Sequence, residues 1–258
     1  MMSPLRLGLV ILAAILAIAA PVSAQTIGVV LMHGNTDSPS GNIALLAAAM
    51  EGAGYLVERP EMCWSYRRRR DRLFLDCLAE LEAPIARLTS RGARAIVVAG
   101  MSQGGIAALA FGARRPGLAG IIALAPAGAP ERQVTVFPQI AQSVAQARAM
   151  VAGGRGDERS SFNDLNIRGS FTVNTTATIY LSFFDPTGPA NMLDSTSRLR
   201  VPLLWVAGTG DHSQPGPAYA FSHAPPNPLN RHVAVSADHL GTPTAAREAV
   251  LAWLGELR

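Results

Sequence analysis

Short apolar runs alternate with helical patterns along this chain. Runs rich in β-branched residues predict buried strands at 26–33, 55–58, 95–99, 121–124, 203–207 and 232–235. Apolar residues three to four positions apart predict helices at 42–50, 67–88, 104–114 and 245–257, with Pro84 interrupting the second. Strands that alternate with helices predict an α/β domain, a mostly parallel sheet with helices on both faces.

The stretch 129–200 breaks this alternation. It contains a helical pattern at 139–151 and a polar turn region at 153–163, and the remainder follows neither period. We therefore predict one domain over 25–258, with 129–200 as a cap or lid segment.

The first 24 residues have the three-part pattern of a secretory signal peptide. Arg6 precedes an apolar run at 7–20, and small residues at 22–24 precede a predicted cleavage site at Gln25. An uncleaved N-terminal anchor is the alternative. The interpretation predicts a periplasmic or secreted protein, without stable membrane insertion once the signal is removed.

Export changes how the two cysteines, Cys63 and Cys77, are interpreted. An even number of cysteines in an oxidising compartment favours a disulfide, and two buried free thiols are the alternative.

Charge does not indicate a nucleic-acid partner. The formal net charge is +4, and all 22 basic residues are Arg. The densest cluster is Arg67–Arg70 with Arg72, and Asp71 and Asp76 follow Arg67 and Arg72 by four residues. That spacing suits ion pairs along one helix, so we predict a solvated helix face.

One segment has the pattern of a catalytic serine. Gly100-Met101-Ser102-Gln103-Gly104 follows the strand at 95–99 and opens a helix. A G-x-S-x-G sequence at a sharp strand-to-helix turn lifts the serine hydroxyl above the sheet edge. The alternative is an ordinary tight turn. The pattern predicts Ser102 as a nucleophile.

A serine nucleophile needs a base and an orienting acid. Asp211 follows the strand at 203–207, and His239 follows the strand at 232–235. Parallel strands end at the same sheet edge, so both are expected near Ser102. Asp185 is an alternative acid. A metal site is also conceivable, although its candidates lack the usual ligand spacing: Asp211, His212, Asp238 and His239. We predict neither a metal nor another cofactor.

With these motifs the sequence resembles the α/β-hydrolase family from about Thr26 to the C-terminus. The resemblance rests on the His33-Gly34-Asn35 turn, the Ser102 turn and the spaced Asp211 and His239. It implies that the backbone N–H groups of Asn35 and Gln103 form an oxyanion hole. The family sheet has eight strands, but too little chain precedes Thr26 for the first hairpin, so six are expected.

Together with the predicted signal peptide, the resemblance implies an exported serine hydrolase that cleaves an ester or related acyl bond through an acyl-enzyme, with carboxylesterase as the favoured class. Its partner would be a small-molecule or acyl substrate. A peptidase or thioesterase is an alternative, because one fold supports many reactions. A catalytically silent binding protein on the same scaffold is another. The sequence does not set the oligomeric state.

Overall fold

The computed structural model describes residues 26–213 and 215–258, so the predicted signal peptide lies outside the described residues. Their strands are β1 (Ile27–Met32), β2 (Leu56–Glu58), β3 (Ala95–Met101), β4 (Gly120–Leu124), β5 (Arg159–Asn166), β6 (Gly169–Thr176), β7 (Leu203–Gly208) and β8 (Arg231–Val235). Six form one sheet in the order β2-β1-β3-β4-β7-β8, and every neighbouring pair is parallel. All six predicted strands are confirmed.

Helices cover both faces of this sheet, as the α/β pattern predicts. They are α1 (Ala44–Gly52), α2 (Phe74–Ala79), α3 (Glu82–Ser90), α4 (Gln103–Gly112), α5 (Pro130–Val136), α6 (Pro138–Ala152), α7 (Ala177–Phe184), α8 (Met192–Ser197), α9 (Thr242–Ala245) and α10 (Arg247–Glu256). Successive strand residues point to opposite faces. In β1, Val29 therefore joins the core under α1 and α10, and Val30 joins the core under α3 and α4.

The helix predicted at 67–88 is wrong in its first part. Residues 67–73 are not helical, and α2 begins at Phe74. Arg69 and Arg70 have φ values of 52° and 59°, in the left-handed region that a right-handed helix excludes. A second helix, α3, then begins at Glu82, shortly before Pro84.

The ion pairs predicted for that helix are wrong for the same reason. Arg68 contacts Asp71 at 2.9 Å and Glu80 at 2.6 Å, and Arg72 contacts Glu80 at 3.0 Å. Arg70 does not lie on a solvated face, because its side chain is buried. The cluster is a folded loop rather than a helix surface.

The predicted disulfide between Cys63 and Cys77 is present, with the two Cα atoms 5.8 Å apart. It closes a short loop that contains Arg70. The bridge therefore restrains the segment that departs most from its helical prediction.

Residues 129–200 stand between β4 and β7 as α5, α6, a hairpin, α7 and α8. The hairpin pairs β5 and β6 antiparallel, from Arg159↔Thr176 to Asn166↔Gly169, apart from the main sheet. The polar turn predicted at 153–163 is therefore partly a strand. Across residues 26–213 and 215–258, no helix is long and apolar enough to cross a membrane.

Candidate active site

Ser102 occupies a strained turn between β3 and α4. Its φ is 54° and its ψ is −117°, a backbone conformation that residues other than glycine rarely adopt. The flanking glycines are required by close contacts. A Cβ on Gly100 would lie 2.1 Å from the Gly104 carbonyl oxygen, and a Cβ on Gly105 would lie 2.9 Å from the Pro126 Cβ. The sequence thus permits a turn that raises Ser102 above the sheet edge.

Asp211 and His239 meet at the same edge. Their loops follow β7 and β8, and the Gly210 N–H donates to the Ala237 carbonyl at 2.9 Å, which joins the two loops. The His239 Nδ1 lies 2.7 Å from Asp211 Oδ2, and both side chains are buried. The structure therefore brings together the predicted base and acid.

Ser213 fixes the other oxygen of Asp211. Its backbone N–H and its hydroxyl donate to Asp211 Oδ1 at 3.0 and 2.6 Å. Burial works to raise the pKa of Asp211, but the hydrogen bonds from His239 and Ser213 outweigh it and hold that pKa below its usual value. Asp211 is thus an ionised carboxylate at neutral pH and can orient His239.

Ser102 and His239 line one cavity of about 550 Å³. In the described part of the chain, the Ser102 hydroxyl makes no hydrogen bond, to His239 or to any other group. Hydrogen bonds of this kind are often long in ligand-free enzymes and tighten when substrate binds. Ser102 is partly exposed, and it lines the same cavity as the imidazole of His239.

The two predicted oxyanion residues, Asn35 and Gln103, also line this cavity. Gln103 is the first residue of α4, so its N–H has no partner inside the helix. The turns that carry them are in direct contact, because a Cβ on Gly104 would lie 2.7 Å from the His33 carbonyl oxygen. The residues that carry the two predicted donors therefore line the cavity together with Ser102.

His33 supports the Asn35 turn through hydrogen bonds at both of its ring nitrogens. Its buried ring accepts a hydrogen bond at Nε2 from the Met62 N–H at 3.1 Å, so Nδ1 carries the proton and donates to the Gly34 carbonyl at 2.8 Å. Burial lowers the pKa of His33, and the opposing effect of the Gly34 carbonyl is smaller. His33 is therefore a neutral structural group.

The same turn is hydrogen-bonded to a buried ion pair, Asp164 with Arg70. The Asn35 amide donates to the Leu165 carbonyl at 3.1 Å and to the Asp164 carboxylate at 3.3 Å. Asp164 in turn binds Arg70 at 2.7 Å, and each side chain is only 2% exposed. The Arg70 guanidinium also lies 4.6 Å from the centre of the Phe183 ring. The hairpin and the disulfide loop thus meet at the candidate oxyanion turn.

The alternative acid and the conceivable metal ligands do not form a second site. Asp185, the alternative acid, pairs with Arg148 at 3.0 Å and does not line the cavity. Asp238 accepts a hydrogen bond from the Gly241 N–H at 2.7 Å and shapes its own loop. His212 lines the cavity beside Ser213. Within 26–213 and 215–258, no three His, Cys, Asp or Glu side chains are grouped to hold a metal ion.

No protein-family model matches this sequence, and no curated protein matches it. Solved structures do match. The alpha/beta hydrolase GrgF from Penicillium sp. sh18 is 16% identical, with a TM-score of 0.63 over 91% of this chain and 90% of that chain. The chain has the α/β-hydrolase fold.

Two further structures support this fold. The monoacylglycerol lipase of Paleococcus ferrophilus is 19% identical, with a TM-score of 0.65 over 91% of this chain and 97% of that chain. A structure reported for LipS and LipT, two metagenome-derived lipolytic enzymes, is 18% identical, with a TM-score of 0.63 over 91% of this chain and 94% of that chain. The likeness covers nearly the whole length of each protein.

Proposed function

We propose that this α/β-hydrolase-fold protein is a serine hydrolase that cleaves carboxylic esters. One observation carries the proposal: Ser102, on its strained turn, shares a cavity with His239, whose Nδ1 is hydrogen-bonded to buried Asp211. These are the nucleophile, base and orienting acid of a Ser-His-Asp triad, in the chain order usual for this fold.

In this mechanism Asp211 binds Nδ1–H, so the free electron pair of neutral His239 lies on Nε2. Nε2 takes the Ser102 proton as Oγ attacks the substrate carbonyl carbon. The N–H groups of Asn35 and Gln103 stabilise the negative oxygen that forms, a role in which one donor contributes about 3–4 kcal/mol. His239 then protonates the departing alcohol, and a water activated by His239 releases the acyl group.

An ester with an apolar portion fits the cavity best. Large apolar side chains that remain exposed surround its mouth: Val136, Phe137, Ile167 and Leu240. Its volume, about 550 Å³, is in the range of small-molecule sites. Similar structures include the lipolytic proteins above and a thioesterase domain from the curacin biosynthetic pathway, with a TM-score of 0.54. Thioesters are therefore the second candidate class.

We also propose that 129–200 acts as a cap and that the protein is exported. Asp164, Ile167 and Phe184 of this segment line the cavity, so movement of the hairpin or α7 would change access to Ser102.

The Cys63–Cys77 disulfide is typical of oxidising compartments. Intact mass of the protein recovered from a periplasmic fraction tests cleavage before Gln25, and an uncleaved N-terminus would contradict it.

Ester hydrolysis by matched serine variants tests the activity. We expect para-nitrophenyl esters to be hydrolysed by the wild type and by Ser90→Ala, which changes an exposed serine on α3. Ser102→Ala should lose at least about a thousandfold in kcat, since only oxyanion and binding contributions remain. Full activity in Ser102→Ala would exclude Ser102 as the nucleophile. Folded wild-type protein that hydrolyses neither esters nor thioesters would favour the binding-protein alternative.

A further inference from the structure

Arg132 is a cation on the wall of the cavity that contains Ser102 and His239. Its Nη1 donates to the Ser213 carbonyl at 3.2 Å, and the Ser213 hydroxyl lies 3.4 Å from His239 Nδ1. Within the described chain, no carboxylate lies within ion-pair distance of Arg132. A guanidinium near the candidate base is therefore left without an anionic partner.

The next residue, Gln133, provides an independent observation. It lines the same cavity and is only 8% exposed, yet its Oε1 is buried without a hydrogen-bond partner in the described residues. Nearly all buried polar side-chain atoms are hydrogen-bonded, so this position requires a partner. As placed, Oε1 is an acceptor and would not bind an anion. The two orientations of an amide are nearly equal in shape, and the rotated amide presents its N–H donors at this position instead.

The other charged groups in the cavity do not neutralise Arg132. Asp164 is already paired with Arg70, and the carboxylate of Asp37 is engaged by the backbone and side chain of Asn42. Arg168, at the hairpin tip, adds a second, exposed cation. Glu131, the neighbour of Arg132, is engaged by the Tyr219 hydroxyl and by the backbone N–H of Met192. The cavity thus combines an apolar rim with the cation of Arg132, which has no ion-pair partner within the described chain.

We propose that Arg132 and Gln133 form a subsite that binds a carboxylate on the substrate. The inference rests on the proposed esterase function and narrows it to esters that carry an anionic group. The planar guanidinium offers a fork of donors that matches two carboxylate oxygens, and the Gln133 amide adds a donor from the adjacent position. These side chains are specificity-determining groups, distinct from the groups that perform the reaction.

Two pairs of esters test the subsite. Mono-para-nitrophenyl adipate is compared with para-nitrophenyl hexanoate, and meta-carboxyphenyl butyrate with phenyl butyrate, so that the charge lies first on the acyl part and then on the alcohol part. In at least one pair, wild-type kcat/KM should be about tenfold higher for the anionic ester, the scale of one charge-assisted hydrogen bond. Arg132→Gln should bring that ratio to about one, and Arg132→Lys should keep part of it.

Arg200→Gln is the matched control, because it removes the same charge from an exposed position that does not line the cavity. It should keep the preference for the anionic ester. A wild-type preference absent from both pairs, a preference that persists in Arg132→Gln, or one that Arg200→Gln removes equally would each overturn the subsite.

A binding measurement separates this inference from the proposed activity. Hexanoate and its neutral amide, hexanamide, are titrated into Ser102→Ala protein by ligand-observed NMR. Hexanoate should bind about tenfold more tightly, and Arg132→Gln should remove the difference. Equal binding, or binding of neither ligand, would overturn the subsite. If hexanoate is preferred but no ester is hydrolysed, the proposed activity fails and the subsite stands.

Discussion

Replacing Asp164 by Asn should destabilise the protein strongly, because this residue balances a buried cation. Asp164 and Arg70 are each 2% exposed and 2.7 Å apart. Asn preserves the shape of the side chain and removes only its charge. Arg70 would then stay buried with the two phenylalanine rings beside it, and its Nη1 already lacks a hydrogen-bond partner.

The magnitude follows from that burial. Removing one partner of a buried ion pair costs about 3–5 kcal/mol. For a domain of this size each kcal/mol lowers the Tm by about 2–4 °C, so the expected fall is about 6–20 °C. The double variant Arg70→Met/Asp164→Leu removes both charges and should recover most of the loss, because no unpaired charge remains buried.

Thermal unfolding by calorimetry measures this effect. Asp194→Asn is the matched control, since Asp194 pairs with Arg198 on the surface, where both side chains are about half exposed. Such an exposed pair contributes about 0–1 kcal/mol. Equal Tm changes in Asp164→Asn and Asp194→Asn would refute the reasoning, as would a double variant no more stable than Asp164→Asn alone.

Three further predictions concern the proposed triad, the buried histidine and the disulfide. Asp211→Asn presents an amide to His239 Nδ1, so kcat for an ester should fall about 10³–10⁴-fold with the fold intact; an unchanged kcat would remove Asp211 from the triad. Because burial lowers the pKa of His33 from 6.5, the unfolded chain binds a proton that the folded chain does not, and stability should fall as the pH drops below 6.5. In His33→Gln that fall should lessen by up to about 1.4 kcal/mol per pH unit in urea titrations, and an unchanged slope would contradict the assignment. Replacing Cys63 and Cys77 by Ser should lower the free energy of unfolding by about 3 kcal/mol, and a loss below 1 kcal/mol would argue that the loop is ordered without the bridge.

The sheet and the placement of Ser102 could be predicted because local patterns determine them. The central strands of the sheet, β1, β3, β4 and β7, are short apolar runs, and the glycines around Ser102 match one known type of turn. Asp211 and His239 then meet because parallel strands end at one edge. These positions needed no knowledge of distant contacts, whereas the catalytic roles of the residues stay predictions.

The surroundings of Arg70 could not be predicted in the same way. An arginine among neighbouring arginines is normally solvated, and its partner Asp164 lies 94 positions later in a segment without a clear period. The sequence of the hairpin is mostly polar, and much of β5 and β6 is not fully buried, so it lacks the apolar pattern that predicts a core strand. Burial of Arg70 depends on tertiary packing that local sequence does not encode.

Ser213 is a residue that the sequence did signal. It lies two positions after Asp211, the spacing at which an aspartate carboxylate commonly accepts a hydrogen bond from a backbone N–H in a turn. The structure has that bond at 3.0 Å, and the Ser213 hydroxyl adds a second one at 2.6 Å. Attention to the residues after a candidate acid would have identified this support for the triad.

The central claim is that Ser102 is an activated nucleophile. Purified protein is treated with a fluorophosphonate probe, and intact mass and peptide mapping locate the adduct. We predict one adduct per chain on Ser102, none in Ser102→Ala, and labelling slowed at least about a hundredfold in His239→Ala, which lacks the base. Folded wild-type protein that remains unlabelled, or an adduct on another residue, would contradict the account.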